Sequence, residues 1–263
     1  MEKQKKQSLV AAPGGKSYLV PFILITSLFL LWGFAHGLLD VLNKHFQELL
    51  TITRTHSAMI QATMYMGYFI MAIPAGLFIN RHGYRKGVVL GLLLYGIGSL
   101  LFIPGQYIAS FNMFLFSLFV IGCGLTFLET AANPYVTELG ARETAASRLN
   151  FAQSFNGLGC IFAPILTGFL LFSDEEQGAS GNVALPYAVM GVIVLLAALA
   201  FMRVRLPEIP HEEEVDSEGH RVGLWAHKLF VFGLVALFAY EVSEISINSF
   251  FINYVTEVGW MNA

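Results

Sequence analysis

The sequence predicts an all-α membrane protein, and three observations carry that expectation. Of its 263 residues, 56% are hydrophobic and only 13% are charged, with a mean hydropathy of +0.63, a composition that soluble domains rarely show. Seven apolar segments, near 18–40, 57–79, 87–106, 111–132, 147–172, 184–202 and 229–255, are each long enough or nearly so to cross the ~30 Å hydrocarbon core as a helix. With the N-terminus cytoplasmic, every Lys and Arg except Lys44 and Arg54 falls on the inner side, as the positive-inside rule requires. The intervals between segments leave no room for a large soluble domain.

The elements follow in order. The tail at 1–17 is basic and lacks a small-residue cleavage site after a short apolar core, so the first segment is expected to be retained and not to act as a signal peptide. That segment carries His36, Asp40 and Asn43 at spacings of four and three. The second carries Gln61 and leads into "GLFINRHGYRKG" (76–87), a turn with clustered basic residues. The glycines at 83, 87 and 91 are read as helix-packing residues and not as a phosphate loop. The fourth segment runs uncharged from Phe111 to Leu128 and then meets Glu129, with Thr126, Thr130, Asn133 and Thr137 on the same side. Pro134 removes a backbone donor within that helix and is expected to bend it. Asn150, Gln153, Asn156 and Cys160 stripe the fifth segment. The cluster Asp174-Glu175-Glu176 then falls outside. After the sixth segment, "PEIPHEEEVDSEGHRVG" (207–223) is the longest charged, Pro- and Gly-punctuated interval and marks a cytoplasmic linker. The expected division is a tail at 1–17, a six-helix bundle at 18–205, a linker at 206–226, and at 227–263 a first helix of a further bundle carrying Glu241, Glu244 and Asn248.

Spacings of three and four put side chains on one helical face, so four segments each present one polar stripe. For Ser, Thr, Asn and Gln the alternative to a cavity is hydrogen bonding between helices. For the acids the balance differs. Each would cost ~2.5–3.5 kcal/mol at the centre of an isolated spanning helix, so such groups face protein interior or a wet cavity. No Lys or Arg within their own segments neutralises them, and an acid in that setting is suited to carrying a proton. Acids in the first, fourth and seventh segments stand three helices apart, the interval of transporters built from three-helix repeats. Cys123 and Cys160 lie in apolar runs and read as small buried hydrophobes. The net charge of −3 identifies no partner, and nucleic acid is not expected.

The stretches "FLLWGFAHGLLDVL" (29–42), "MIQATMYMGYFIMAIPAG" (59–76), "LETAANPYVTELG" (128–140) and "RLNFAQSFNGLG" (148–159) resemble the major facilitator superfamily. Within it they resemble the L-fucose/proton symporter and glucose/galactose transporter family. The segment 76–87 resembles the superfamily's cytoplasmic signature between its second and third helices, and "YEVSEISINSFFINYV" (240–255) is closer to the hexose branch. The resemblance implies the major facilitator fold: an N-terminal six-helix bundle of 3+3 inverted repeats plus the first helix of the C-terminal bundle. It implies secondary transport of a monosaccharide, a glucose/galactose-type hexose or fucose, by alternating access and cation symport, with H+ expected and Na+ as the other candidate ion.

On this resemblance Asp40 and Glu129 are proton-coupling residues. Glu129, Asn133, Gln153, Asn156, Gln61, Glu244 and Asn248 contact the sugar, and Gly76, Asn80, Arg81, Gly83, Arg85 and Lys86 form a cytoplasmic gate. Two departures stand out: Leu39 occupies the position before the first-helix acid where fucose symporters carry Asn, and Asn80 replaces the acid of the signature. Trp32, Tyr65 and Tyr68 are suited to stacking on a sugar, although most membrane aromatics pack or anchor; His36 is read either as a helix contact or as part of a proton path. No cofactor or metal is expected. An intramembrane enzyme finds no support, since no HExxH pattern and no nucleophile with an adjacent base are present. A non-transporting membrane sugar sensor is the alternative function. The family has twelve helices, and the ending "VTEVGWMNA" is expected to lie within a longer reading frame.

Overall fold

The computed structural model describes residues 10, 18–49, 54–172, 184–204, 207, 225 and 227–258; within those helices the side chains of 40–49, 54–57, 169–172, 248–253, 256 and 257 are outside the description. The N-terminal tail, the acidic cluster at 174–176 and nearly all of the linker therefore lie outside the described residues, as do the side chains of Asp40, Asn43 and Asn248. Contacts group the chain into two units, Met1–Ile209 and Pro210–Ala263.

Within the predicted segments the described residues are helical except at Tyr18 and Leu101. The first unit contains α1 (Leu19–Leu49), α2 (Arg54–His82), α3 (Tyr84–Leu100), α4 (Phe102–Ile108), α5 (Phe111–Glu138), a 3₁₀ turn at Arg142–Thr144, α6 (Ala145–Phe172) and α7 (Ala184–Arg203); the second contains α8 (Lys228–Glu257). Among the described residues six stretches are long and apolar enough to cross a membrane: Leu19–Leu39, Ala58–His82, Tyr84–Ile108, Phe111–Glu138, Ala184–Arg203 and Lys228–Ile247. The predicted fifth segment is α6, whose 28 residues give it the length of a span.

The predicted third segment, 87–106, begins earlier, at Tyr84, and is broken into α3 and α4 at Leu101. Pro104 has no N–H to offer the Leu100 carbonyl four residues back. Gly105 bonds Leu101 at 3.2 Å and resumes the helical ladder beyond the interruption. The tight connection into α5 is capped by Ser110, whose Oγ accepts from the Met113 amide at 3.4 Å.

In the first unit α1 packs chiefly on α6, α2 on α5, and α3 on both α5 and α7. With α1–α3/α4 as one three-helix repeat and α5–α7 as the other, each of these main interfaces joins one repeat to the other. The first helix of each repeat lies against the second of its counterpart, the pairing that inverted repeats produce. Glycine permits these approaches. A Cβ built on Gly33 would stand 2.0 Å from the Asn156 carbonyl oxygen, and one on Gly122 would stand 2.3 Å from that of Met64. Without a hydrophobic drive between helices in lipid, such close backbone packing carries the association.

Gly87 and Gly91 fit the packing reading, since added Cβ atoms would meet Ile79 at 2.5 Å and the Gly124 carbonyl at 2.8 Å. Gly83 corrects it. A Cβ there meets nothing within 4 Å, but its φ of +85° lies in the left-handed half of the map, so Gly83 is selected for a sharp turn between α2 and α3.

Candidate substrate cavity

The centre of the first unit is α5. From Ile121 to Leu128 every residue is buried, because α2 and α3 cover adjacent sides of this stretch. The next two residues, Glu129 and Thr130, are half-buried, and the helix there borders a cavity of about 670 Å³. From α2 the cavity is lined by Tyr65, Tyr68, Phe69 and Ala72; from α5 by Thr126, Glu129, Thr130, Asn133 and Pro134. Both sets recur at three and four residues, so each is one helical face. Glu129 therefore sits inside a continuous helix that runs nine residues further, to Glu138, although the uncharged run stops just before it.

The polar wall has a definite hydrogen-bond sense. Thr126 donates to the Gly122 carbonyl at 2.8 Å and Thr130 to the Thr126 carbonyl at 2.7 Å, which leaves both hydroxyl oxygens to act as acceptors towards a ligand. Pro134 stays within the helix and cannot donate to the Thr130 carbonyl. Gln153 on α6 donates from Nε2 to Asn133 Oδ1 at 3.3 Å, joining the amide stripe of α6 to the cavity wall and leaving the Asn133 NH₂ as a donor. Asn156 uses one N–H on the Phe29 carbonyl of α1 at 3.4 Å and keeps its other N–H and its oxygen.

The aromatic wall is also fixed. Trp32 Nε1 donates to Tyr68 Oη at 2.9 Å, His36 Nδ1 lies 3.1 Å from the Trp32 carbonyl oxygen, and the rings of Trp32 and His36 meet edge to face at 5.9 Å. His36 is thus anchored to its own helix. Gln61 is half-buried on α2, one turn before Tyr65 on the same face. On α8, Glu241 and Glu244 are exposed. The backbone of Asp40 is in α1.

The residues expected to gate the cytoplasmic side are placed as follows. Asn80, Arg81 and Lys86 are exposed and Gly76 is half-buried. Arg85 reaches across to the end of α7, where Nε donates to the Phe201 carbonyl at 3.1 Å and the guanidinium also bonds the Met202 carbonyl. A cation at a helix C-terminus satisfies orphan carbonyls and the negative end of the dipole.

Sequence reasoning missed a second, deeper cation of this kind. Arg148, 0% exposed, donates to the Val136 carbonyl at 3.1 Å, the Ala141 carbonyl at 3.0 Å and Thr144 Oγ1 at 2.6 Å, and also bonds the Thr137 carbonyl. It clamps the last turn of α5 to the first turn of α6. The signal available was an Arg one turn inside an apolar segment, which the inner-side tally absorbed as loop charge. Tyr135, fully buried on α5, donates to the Pro207 carbonyl at 2.8 Å and pins the chain where it leaves α7.

Comparison with known proteins places these features. A family model described as Major Facilitator Superfamily matches residues 18–261. A glucose/galactose transporter of Brucella abortus biovar 1 (strain 9-941) is 35% identical over 246 residues, which are 92% of this chain and 60% of that protein. An L-fucose-proton symporter of Escherichia coli (strain K12) is 34% identical over 266 residues, 92% of this chain and 61% of that protein. The chain thus spans about 60% of the length of these curated relatives. Among solved structures, the E. coli fucose:proton symporter superposes with a TM-score of 0.62 at 37% identity, covering 73% of this chain and 50% of that one. The inward-open xylose transporter of E. coli, at 16% identity and a TM-score of 0.56 over 72% of this chain and 48% of that one, shares the fold.

Proposed function

The chain belongs to the Major Facilitator Superfamily, and from that premise we propose that it supplies the N-terminal bundle of a secondary transporter that imports a monosaccharide by cation symport. The sugar is a glucose/galactose-type hexose or fucose, the solutes named for the relatives that match most of this chain. The coupling ion is H+, the ion named for the fucose relative. The observation that carries the reading is the two-sided cavity between α2 and α5, with rings on one wall and Glu129, Thr130 and Asn133 on the other. A pyranose has the same two characters: C–H faces that pack on aromatic rings and hydroxyls that need mixed donors and acceptors.

In this reading Glu129 and Asn133 take sugar hydroxyls, with Gln153, Asn156 and Gln61 supporting the same cavity; Glu244 and Asn248 are the sugar contacts proposed for α8. Protonation of Asp40 removes its charge, so that the loaded protein reorients by rocking of its bundles about the site. Gly76, Asn80, Arg81, Gly83, Arg85 and Lys86 organise the inner gate. The protein is an integral membrane protein; we place it in a bacterial inner membrane with its N-terminus cytoplasmic. We divide the chain into tail (1–17), six-helix bundle (18–205), linker (206–226) and the first helix of the C-terminal bundle (227–263).

Uptake of radiolabelled glucose, galactose and fucose by vesicles containing the twelve-helix protein is the test. A proton gradient is expected to drive accumulation of at least one of them, and Asp40→Asn to abolish that accumulation while sparing exchange. Accumulation driven by a sodium gradient instead would replace the ion. Binding with no uptake under either gradient would favour a sugar sensor, and unchanged accumulation in the Asp40 variant would remove that residue from coupling.

A further inference from the structure

We propose that the Tyr68 hydroxyl is a directed hydrogen-bond donor to the transported sugar, held to that role by the Trp32 indole, and that one sugar hydroxyl bridges Tyr68 to Glu129. The inference rests on reading the cavity as a sugar site, and it adds a contact and a polarity to that reading.

An indole N–H only donates. Trp32 Nε1 lies 2.9 Å from Tyr68 Oη, so Tyr68 accepts there and its single proton must be donated in another direction. Tyr68 lines the same cavity as Glu129. The opposite wall is rich in acceptors: the Glu129 carboxylate and the two threonine oxygens whose protons are committed to backbone carbonyls. A donor facing acceptors across a gap is matched by a hydroxyl, which accepts on one side and donates on the other. The resulting chain runs Trp32 N–H, Tyr68 O–H, sugar O–H, Glu129 carboxylate. Every proton points the same way, an arrangement in which successive bonds polarise one another and strengthen.

The pair is also held still. The Trp32 ring packs against Phe29 at 6.1 Å and His36 at 5.9 Å, and Tyr68 packs against His36 at 6.3 Å and Tyr65 at 6.0 Å. With both rings wedged, the Tyr68 hydroxyl points into a narrow cone and discriminates among hydroxyl positions on the sugar. Trp32 is a positioning residue in this scheme, and Tyr68 is the one that touches the ligand.

The test is calorimetric titration of the full-length protein in detergent with glucose, galactose and fucose, then with singly deoxygenated analogues of whichever binds most tightly. If none of the three binds the wild type, the sugar-site reading itself fails and takes this proposal with it. Given wild-type binding, Tyr68→Phe is expected to raise Kd about three- to tenfold, the loss of one hydrogen bond. One deoxy analogue should show the same loss in the wild type and no further loss in Tyr68→Phe. Trp32→Phe should weaken the parent sugar less and add nothing in the Tyr68→Phe background. An unchanged Kd in Tyr68→Phe, or an equal further loss for every deoxy analogue, overturns the proposal. If Tyr68→Phe does not fold, Trp32→Phe carries the test: it must flatten the preference for that same hydroxyl, and an unaltered preference overturns the idea.

Discussion

Glu129 reaches its cavity from the interior of α5, with a fully buried stretch behind it and Asn133 one turn ahead. A carboxylate there binds hydroxyls through charge-assisted hydrogen bonds, worth ~1.5–3 kcal/mol each. Glu129→Gln retains size and one acceptor but loses the charge, so sugar affinity is expected to fall about tenfold to a hundredfold; equilibrium binding of labelled sugar at wild-type affinity would remove Glu129 from the site. Glu129, Asn133 and Gln153 were legible in the sequence because polar side chains at helical spacing in an apolar segment are costly and so conspicuous. The Trp32–Tyr68 bond was not, because in a membrane segment a ring that positions a ligand and a ring that fills space have the same pattern.

Among the elements, the α5–α6 corner shows how a charge becomes structural. Arg148 is buried against the carbonyls of Val136, Thr137 and Ala141, and the Gln153–Asn133 bond joins the same two helices beside the cavity. Arg148→Ala strips several buried acceptors of their donor, at a cost of ~2–4 kcal/mol. The thermal midpoint of the purified protein should fall by several degrees, with Arg148→Lys intermediate; an unshifted midpoint for the alanine variant would exclude the clamp. Helix number and approximate span followed from hydropathy alone. The break at Leu101 and the turn at Gly83 did not, since each depends on a single backbone feature: a proline's missing donor in one case and a positive φ in the other. The partners of Arg85 were likewise hidden from the sequence, because they lie on α7, more than a hundred residues away along the chain.

For the whole molecule, the segregation of Lys and Arg predicts an orientation that can be measured. In a cysteine-free background, Tyr107→Cys at the end of α4 and Glu143→Cys in the 3₁₀ turn occupy exposed positions at opposite ends of spans. A membrane-impermeant maleimide added to intact cells is expected to label position 107 and spare 143, and the reverse pattern would invert the assignment. The repeat symmetry was legible only as acids three helices apart; the pairing of α1 with α6 and of α2 with α5 needed the structure, because glycine contacts between distant helices leave no periodic trace. That pairing also sets an order of events at the ribosome. The first three spans leave the translocation machinery before their main partners exist, and α1 waits for α6, which ends at Phe172. At ~5–20 residues per second the wait is on the order of ten seconds. Over that interval the glycine-lined flank of α1 lies open to lipid or to an insertion chaperone, so the vulnerable stage in this protein's biogenesis falls before its fifth span is made.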